Sequence, residues 1–196
     1  MNGHIVDVDN LVVGFPTHLH GPAFWEALGR TIGTYGFLEE TLSRAIFALT
    51  GTREYDERTI VDAVANWQKV LEKSLYDPLG ALINSYEKAL REHQSLETET
   101  FKGLVSDLRD SASIRNVLCH GSWQKPDVDG KSLPKFINRK LERFETPIDV
   151  AFLKQTQAAV AELVCHVVNS VTHLGYQFPG SGGPGEVVWT TSPKTS

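Results

Sequence analysis

Apolar residues recur at steps of three and four along five stretches of the chain, the spacing that lines one face of an α-helix. The longest stretch, Ala23 to Thr50, carries Trp25, Leu28, Ile32, Tyr35, Leu42, Ile46 and Leu49 on one line and stops at Gly51. Gly29, Gly33 and Gly36 interrupt its other side. Each costs a helix roughly 1 kcal/mol against alanine, so a second backbone crossing close to them is expected. A second helix is predicted from about Asp56 to Ser74 on Ile60, Val64, Trp67 and Leu71. Asp77-Pro78 reads as an N-cap with proline at the first helical position, opening a third helix that buries Leu79, Leu82, Ile83, Tyr86 and Leu90 and ends at His93, a solvated cap. A fourth helix, from about Thr98, carries Phe101, Leu104, Val105, Leu108 and Ala112; Gly121 is placed to close it in the left-handed conformation. Thr146-Pro147-Ile148-Asp149 reads as a capping box with proline at the first helical position, and the fifth helix runs from it to about Leu174 on Leu153, Val160, Leu163, Val164, Val167 and Val171.

Between the last two helices, Ser122 to Lys140 holds Pro126, Pro134 and Asp129-Gly130, which predicts a short β-hairpin with a loose turn. The fold class expected is all-α: a bundle of about five long helices with a short β-hairpin after the fourth. Residues 1–21 show no helical period and read as an extended N-terminal arm, 22–174 as the helical domain, and 175–196 as a flexible Gly/Pro/Ser-rich tail in which Val187-Val188-Trp189 is the docking candidate.

Composition narrows the function classes. With 196 residues, 41% of them hydrophobic, the chain suffices for one domain with a real core. A net charge of −5 excludes the global basic signature of a general nucleic-acid binder, so any such contact must come from a local patch. The hairpin segment is that patch: Lys125, Lys131, Lys135, Arg139, Lys140 and Arg143 outnumber Asp127, Asp129 and Glu142. It is either an ordinary solvated hairpin or a phosphate-contacting flap. Cys119 and Cys165 have apolar neighbours and no ligand spacing, as reduced thiols do. Neither the alternating His18 and His20 nor the seven-spaced His166 and His173 has a carboxylate beside it, so no metal site is expected. Without a run of 18 apolar residues or a charged-then-apolar leader, no membrane partner is expected, and the expected location is cytoplasmic.

The reactive residues gather at one helix end, Ile114-Arg115-Asn116-Val117-Leu118-Cys119-His120-Gly121-Ser122-Trp123. Cutting RNA without a metal needs a base for the ribose 2′-hydroxyl, an acid for the departing 5′-oxygen and a cation for the phosphorane charge. His120, in the last turn, suits the acid or base role. Arg115 offers a permanently charged planar fork to phosphate oxygens, and Asn116, one turn before His120, shares its face. Glu39 occupies an inner place between Tyr35 and Leu42, where a lone carboxylate would be expensive. Either it meets Arg115, the basic residue on the inner line of another helix, or the helix rotates it to the surface to pair with Ser43 or water.

Arg115, four residues, then His120, with polar Asn116 after the arginine and Gly121 and Trp123 after the histidine, resembles the signature of the HEPN superfamily. Its members are helical-bundle proteins, often RNases of toxin, antiphage and RNA-processing systems. The resemblance covers residues 23–174. It implies a metal-independent endoribonuclease without cofactor, leaving a 2′,3′-cyclic phosphate, with Arg115 and His120 catalytic and Asn116 assisting. Beside it, the burial argument makes Glu39 a supporting residue, and the charge of the hairpin makes Lys125, Lys131, Lys135, Arg139 and Lys140 the candidates for contacting RNA. The partners it implies are RNA, a second copy that completes a composite active site, and an antitoxin such as a nucleotidyltransferase. Two other readings stand beside it. One is an inert HEPN-like binding module in which Arg115 anchors the bundle by an ion pair and His120 caps the helix. The other is a helical protein with no site.

Overall fold

The computed structural model describes residues 5–55, 60–74, 76–93 and 101–180. Within them the chain is all-α, with helices α1 (Pro22–Gly51), α2 (Ile60–Ser74), α3 (Leu79–Glu92), α4 (Lys102–His120) and α5 (Val150–Thr172). The expected starts near Asp56 and Thr98, the side chains of Ile60 and Leu71, and Val187-Val188-Trp189 lie outside the described residues.

α1 is the central element and packs most extensively on α5, then on α3. Its inner line, Leu28, Tyr35, Leu38, Leu42, Ile46 and Leu49, is buried, and α5 answers with Leu153, Val160, Val164, Val167 and Val171. Burying each such side chain contributes roughly 1.5–3 kcal/mol. Polar contacts help fix how the helices seat, two of them on α1. Thr31 Oγ1 lies 3.0 Å from the Leu153 carbonyl, and the Tyr35 hydroxyl lies 2.9 Å from the Ser111 carbonyl, tying α1 to α4.

Several expectations are corrected. Gly29, Gly33 and Gly36 lie on the exposed side of α1, and among the described residues no neighbouring element comes within 4 Å of where a Cβ would stand on any of them, so no described helix crosses there. Ile32 and Val64 are exposed rather than buried. Pro78 is itself the N-cap of α3, with extended φ and ψ, so the helix begins one residue later than Asp77-Pro78 suggested. At α5 the cap is Asp149, whose carboxylate accepts the Phe152 N–H at 2.7 Å. Thr146 is displaced from that role because Ile148 is buried and bridged to Ser132. His93 is buried, with Nε2 3.3 Å from Thr52 Oγ1. The arm is not simply extended: it makes single 3-10 turns at Val8–Asn10 and Thr17–Leu19. The tail begins in contact with the bundle, Phe178 joining the core.

Residues 122–148, called the flap below, are held by three isolated antiparallel bridges, Ser122 with Lys135, Ser132 with Ile148 and Ile137 with Arg143, with no continuous strand ladder among the described residues. No described helix is long and apolar enough to cross a membrane.

Candidate functional site

α4 carries the motif to its last residue, His120, and hands it directly to the flap. Gly121 does this without a left-handed turn: its backbone is extended, φ −69° and ψ 138°. Glycine is required there for a different reason. A Cβ would stand 2.6 Å from the Val117 carbonyl oxygen and 2.9 Å from Pro134 Cβ, so the flap lies directly against the helix end. Ser122 and Lys135 then exchange backbone hydrogen bonds at 3.1 and 2.9 Å, which aims the flap back along α4.

Near its far end the flap turns tightly over Asn138–Glu142. The Asn138 side chain accepts the N–H groups of Lys140 and Glu142 and donates to the Glu142 carboxylate, and these bonds hold Leu141 at φ 63°. That conformation is unfavourable for leucine, so the clamp offsets a local cost. It presents Arg139 and Lys140 towards the motif.

The result is one cleft of about 780 Å³ whose walls include Arg115, Asn116 and His120 from α4, Leu79 and Gly80 from α3, and Phe136, Ile137, Asn138, Arg139, Lys140 and Glu142 from the flap. Asn116 and His120 are exposed and Arg115 is half-buried. A smaller recess of about 210 Å³ shares Ser113, Asn116 and Asn138 with it. Of the basic residues named from sequence, Arg139 and Lys140 line the cleft. Lys125, Lys131 and Lys135 are exposed and do not.

Glu39 does meet Arg115. Its Oε1 lies 3.4 Å from Arg115 Nη2, a distance at which charges attract but longer than a charge-assisted hydrogen bond. That oxygen is otherwise buried without a hydrogen-bond partner. Ser43 does not take the carboxylate: its hydroxyl donates to the carbonyls of Glu39 and Ser74. Tyr35, one turn earlier on α1, bonds Ser111, one turn earlier on α4. Burial raises the Tyr35 phenol, against the lowering effect of its Ser111 hydrogen bond, so it stays a neutral donor at neutral pH. Arg115 thus contacts Glu39 of α1 and also lines the cleft.

The chain matches no family model, no curated protein and no solved structure. The site must therefore be read from its own residues. Those that sequence patterning missed are Leu79 and Gly80, at the start of a neighbouring helix, and Phe136, Ile137, Asn138 and Glu142, interleaved with the basic residues. Asn138-Arg139-Lys140 carries a turn signal, an Asn ahead of two cations, that marks the clamp. Nothing local marks the α3 wall. His18 stacks on Phe15, His20 sits among aromatic rings, and no group of three possible metal ligands forms among the described residues.

Proposed function

We propose that the chain is a metal-independent endoribonuclease of the HEPN type. The single observation that carries this reading is the shared cleft: a histidine, an asparagine and an arginine on one helix end line the same space of about 780 Å³ as two further cations. In an acidic protein, the described cleft lining holds Arg115, Arg139 and Lys140 against Glu142, with Glu39 in contact with Arg115. The electrostatics therefore favour a polyanion.

In the reaction, a base takes the proton of a ribose 2′-hydroxyl, whose oxygen attacks the adjacent phosphorus. The bond to the 5′-oxygen breaks, and an acid protonates that oxygen, leaving a 2′,3′-cyclic phosphate and a 5′-hydroxyl. His120 supplies one of these proton transfers. A two-fold copy supplies the other from its own motif, because one chain brings one histidine to the cleft. Arg115 takes the charge that builds on the phosphorane oxygens, and Asn116 orients the imidazole or a phosphate oxygen. DNA, lacking the 2′-hydroxyl, resists.

The Glu39–Arg115 contact favours a second reading, an inert HEPN-like interaction module in which that arginine serves the bundle alone. One experiment separates the two. Purified protein incubated with total RNA in EDTA is expected to cut it, and His120→Ala to slow the cut by about 100-fold or more, the range for losing a general acid or base. Cleavage by His120→Ala at the wild-type rate removes the assignment, and no cleavage of several RNAs by wild type favours the inert module.

A further inference from the structure

The arm displays more apolar surface than a free segment should. Between residues 5 and 19, Ile5, Val6, Val8, Leu11, Val12, Val13, Phe15 and Leu19 are all exposed, Ile5 and Val13 at 94%. Contiguous exposed apolar surface of this kind marks a contact site. The arm is also pre-shaped. Asp7 caps the first 3-10 turn through the Asp9 N–H, and Trp25 Nε1 donates to the Thr17 carbonyl at 2.9 Å. His20 is buried, stacked on Phe24 and set edge-on to Trp25 and Trp123. Its root is thus fixed beside Trp123, at the base of the flap, while the apolar residues point into solvent.

The charge of the arm selects what covers it. Residues 5–19 contain Asp7 and Asp9 and no lysine or arginine, which opposes both an anionic bilayer and a nucleic acid. The complement is a surface both basic and apolar, and the chain carries one. On the flap, outside the motif cleft, Lys125, Lys131 and Lys135 are exposed beside Val128 and Leu133, two more exposed apolar side chains. None of these three lysines makes an ion pair among the described residues, and against Asp127 and the exposed Asp129 they leave residues 125–135 a net charge of +1, opposite in sign to the arm's −2. In its own chain the arm leaves this surface uncovered.

We propose that the arm of one copy docks on the outer face of the flap, residues 125–135, of a second copy, with Val8, Val12 and Val13 against Val128 and Leu133 and the two aspartates among the lysines. Two-fold symmetry makes the exchange reciprocal, so each dimer forms two such contacts. The docking stands whether or not the motif cleaves RNA, and it is read without reference to activity.

The test replaces Val13 with p-benzoylphenylalanine in the full chain, mixes 14N- and 15N-labelled protein, irradiates and maps the cross-linked peptides. Cross-links between differently labelled chains, from residue 13 to residues 125–135, are expected. Cross-links confined to one chain, landing on any other surface, or absent altogether overturn the proposal. Sedimentation supplies the second arm of the test. D7K/D9K is expected to weaken dimerisation by about tenfold, and adding K125E/K131E in the same chain to restore it. An unchanged dimer in D7K/D9K, or no restoration, also overturns it.

Discussion

Arg115 and Glu39 form a pair whose two halves are unequal. Both side chains keep about a quarter of their surface, 26% and 28%, so the attraction is screened and worth roughly 1 kcal/mol or less. The Glu39 oxygen facing the arginine is nonetheless buried and has no other partner, so removing the cation strands it. Arg115→Met is therefore expected to lower unfolding stability by about 1–3 kcal/mol in urea titration, and Glu39→Gln by about 1 kcal/mol or less. Identical midpoints for wild type and Arg115→Met would show that the contact holds nothing. The same variants bear on chemistry: on the RNase reading Arg115→Met loses cleavage while Glu39→Gln keeps most of it, because the fork still reaches phosphate. That this pair could be anticipated from sequence rests on a simple cost. A carboxylate on an apolar line needs a cation, and α4 offers one on its inner line.

At the level of helices, legibility followed the strength of the apolar line. α3 buries Leu79, Leu82, Ile83, Tyr86 and Leu90 as its spacing predicts, because the helix packs against α1 and α4 and sends the Tyr86 hydroxyl to Ser170 of α5. The caps were less legible, since a Pro-containing entry can begin at either of two adjacent residues and tertiary bonds choose. Ile148 pairing with Ser132 moved the α5 cap to Asp149. The glycines of α1 misled because propensity alone does not say which face is buried. Open space around them gives an expected outcome: Gly29→Ala, Gly33→Ala and Gly36→Ala should each raise stability by about 0.5–1 kcal/mol, measured by thermal unfolding. Gly121→Ala should lower it by about 1–3 kcal/mol, because the added methyl meets backbone and Pro134 together. Loss of stability in the α1 variants would mean that their face is occupied in solution.

Over the whole molecule, the buried histidines contribute to the response to acid. Burial lowers His20, and burial followed by the nearby Arg53 lowers His93. Such groups bind protons more readily in the unfolded chain, so the stability they allow is present in full above the ordinary imidazole value of about 6.5 and is lost as pH falls through the lower folded values. Unfolding free energy should therefore decline as pH drops below that point. His20→Phe should make the decline shallower while His93 keeps part of it. An equally steep decline in the variant would exclude His20 as a contributor. The burial of His20 was legible only in part, because Phe24 and Trp25 follow it closely in the chain while Trp123 comes from beyond α4.

The contact of Gly121 with Pro134, flanked by the paired backbones of Ser122 and Lys135, leaves the flap no independent hinge at its root. Opening there must also fray the last turn of α4, where the Gly121 N–H bonds the Val117 carbonyl. Amide exchange should then register one cooperative unit, the N–H groups of Gly121, Ser122 and Lys135 exchanging with a common opening free energy below that of the α1–α5 core. His120 would thus be ordered or released in step with Arg139 and Lys140 across the cleft, and anything that grips the flap would tune the timing of the motif without touching it.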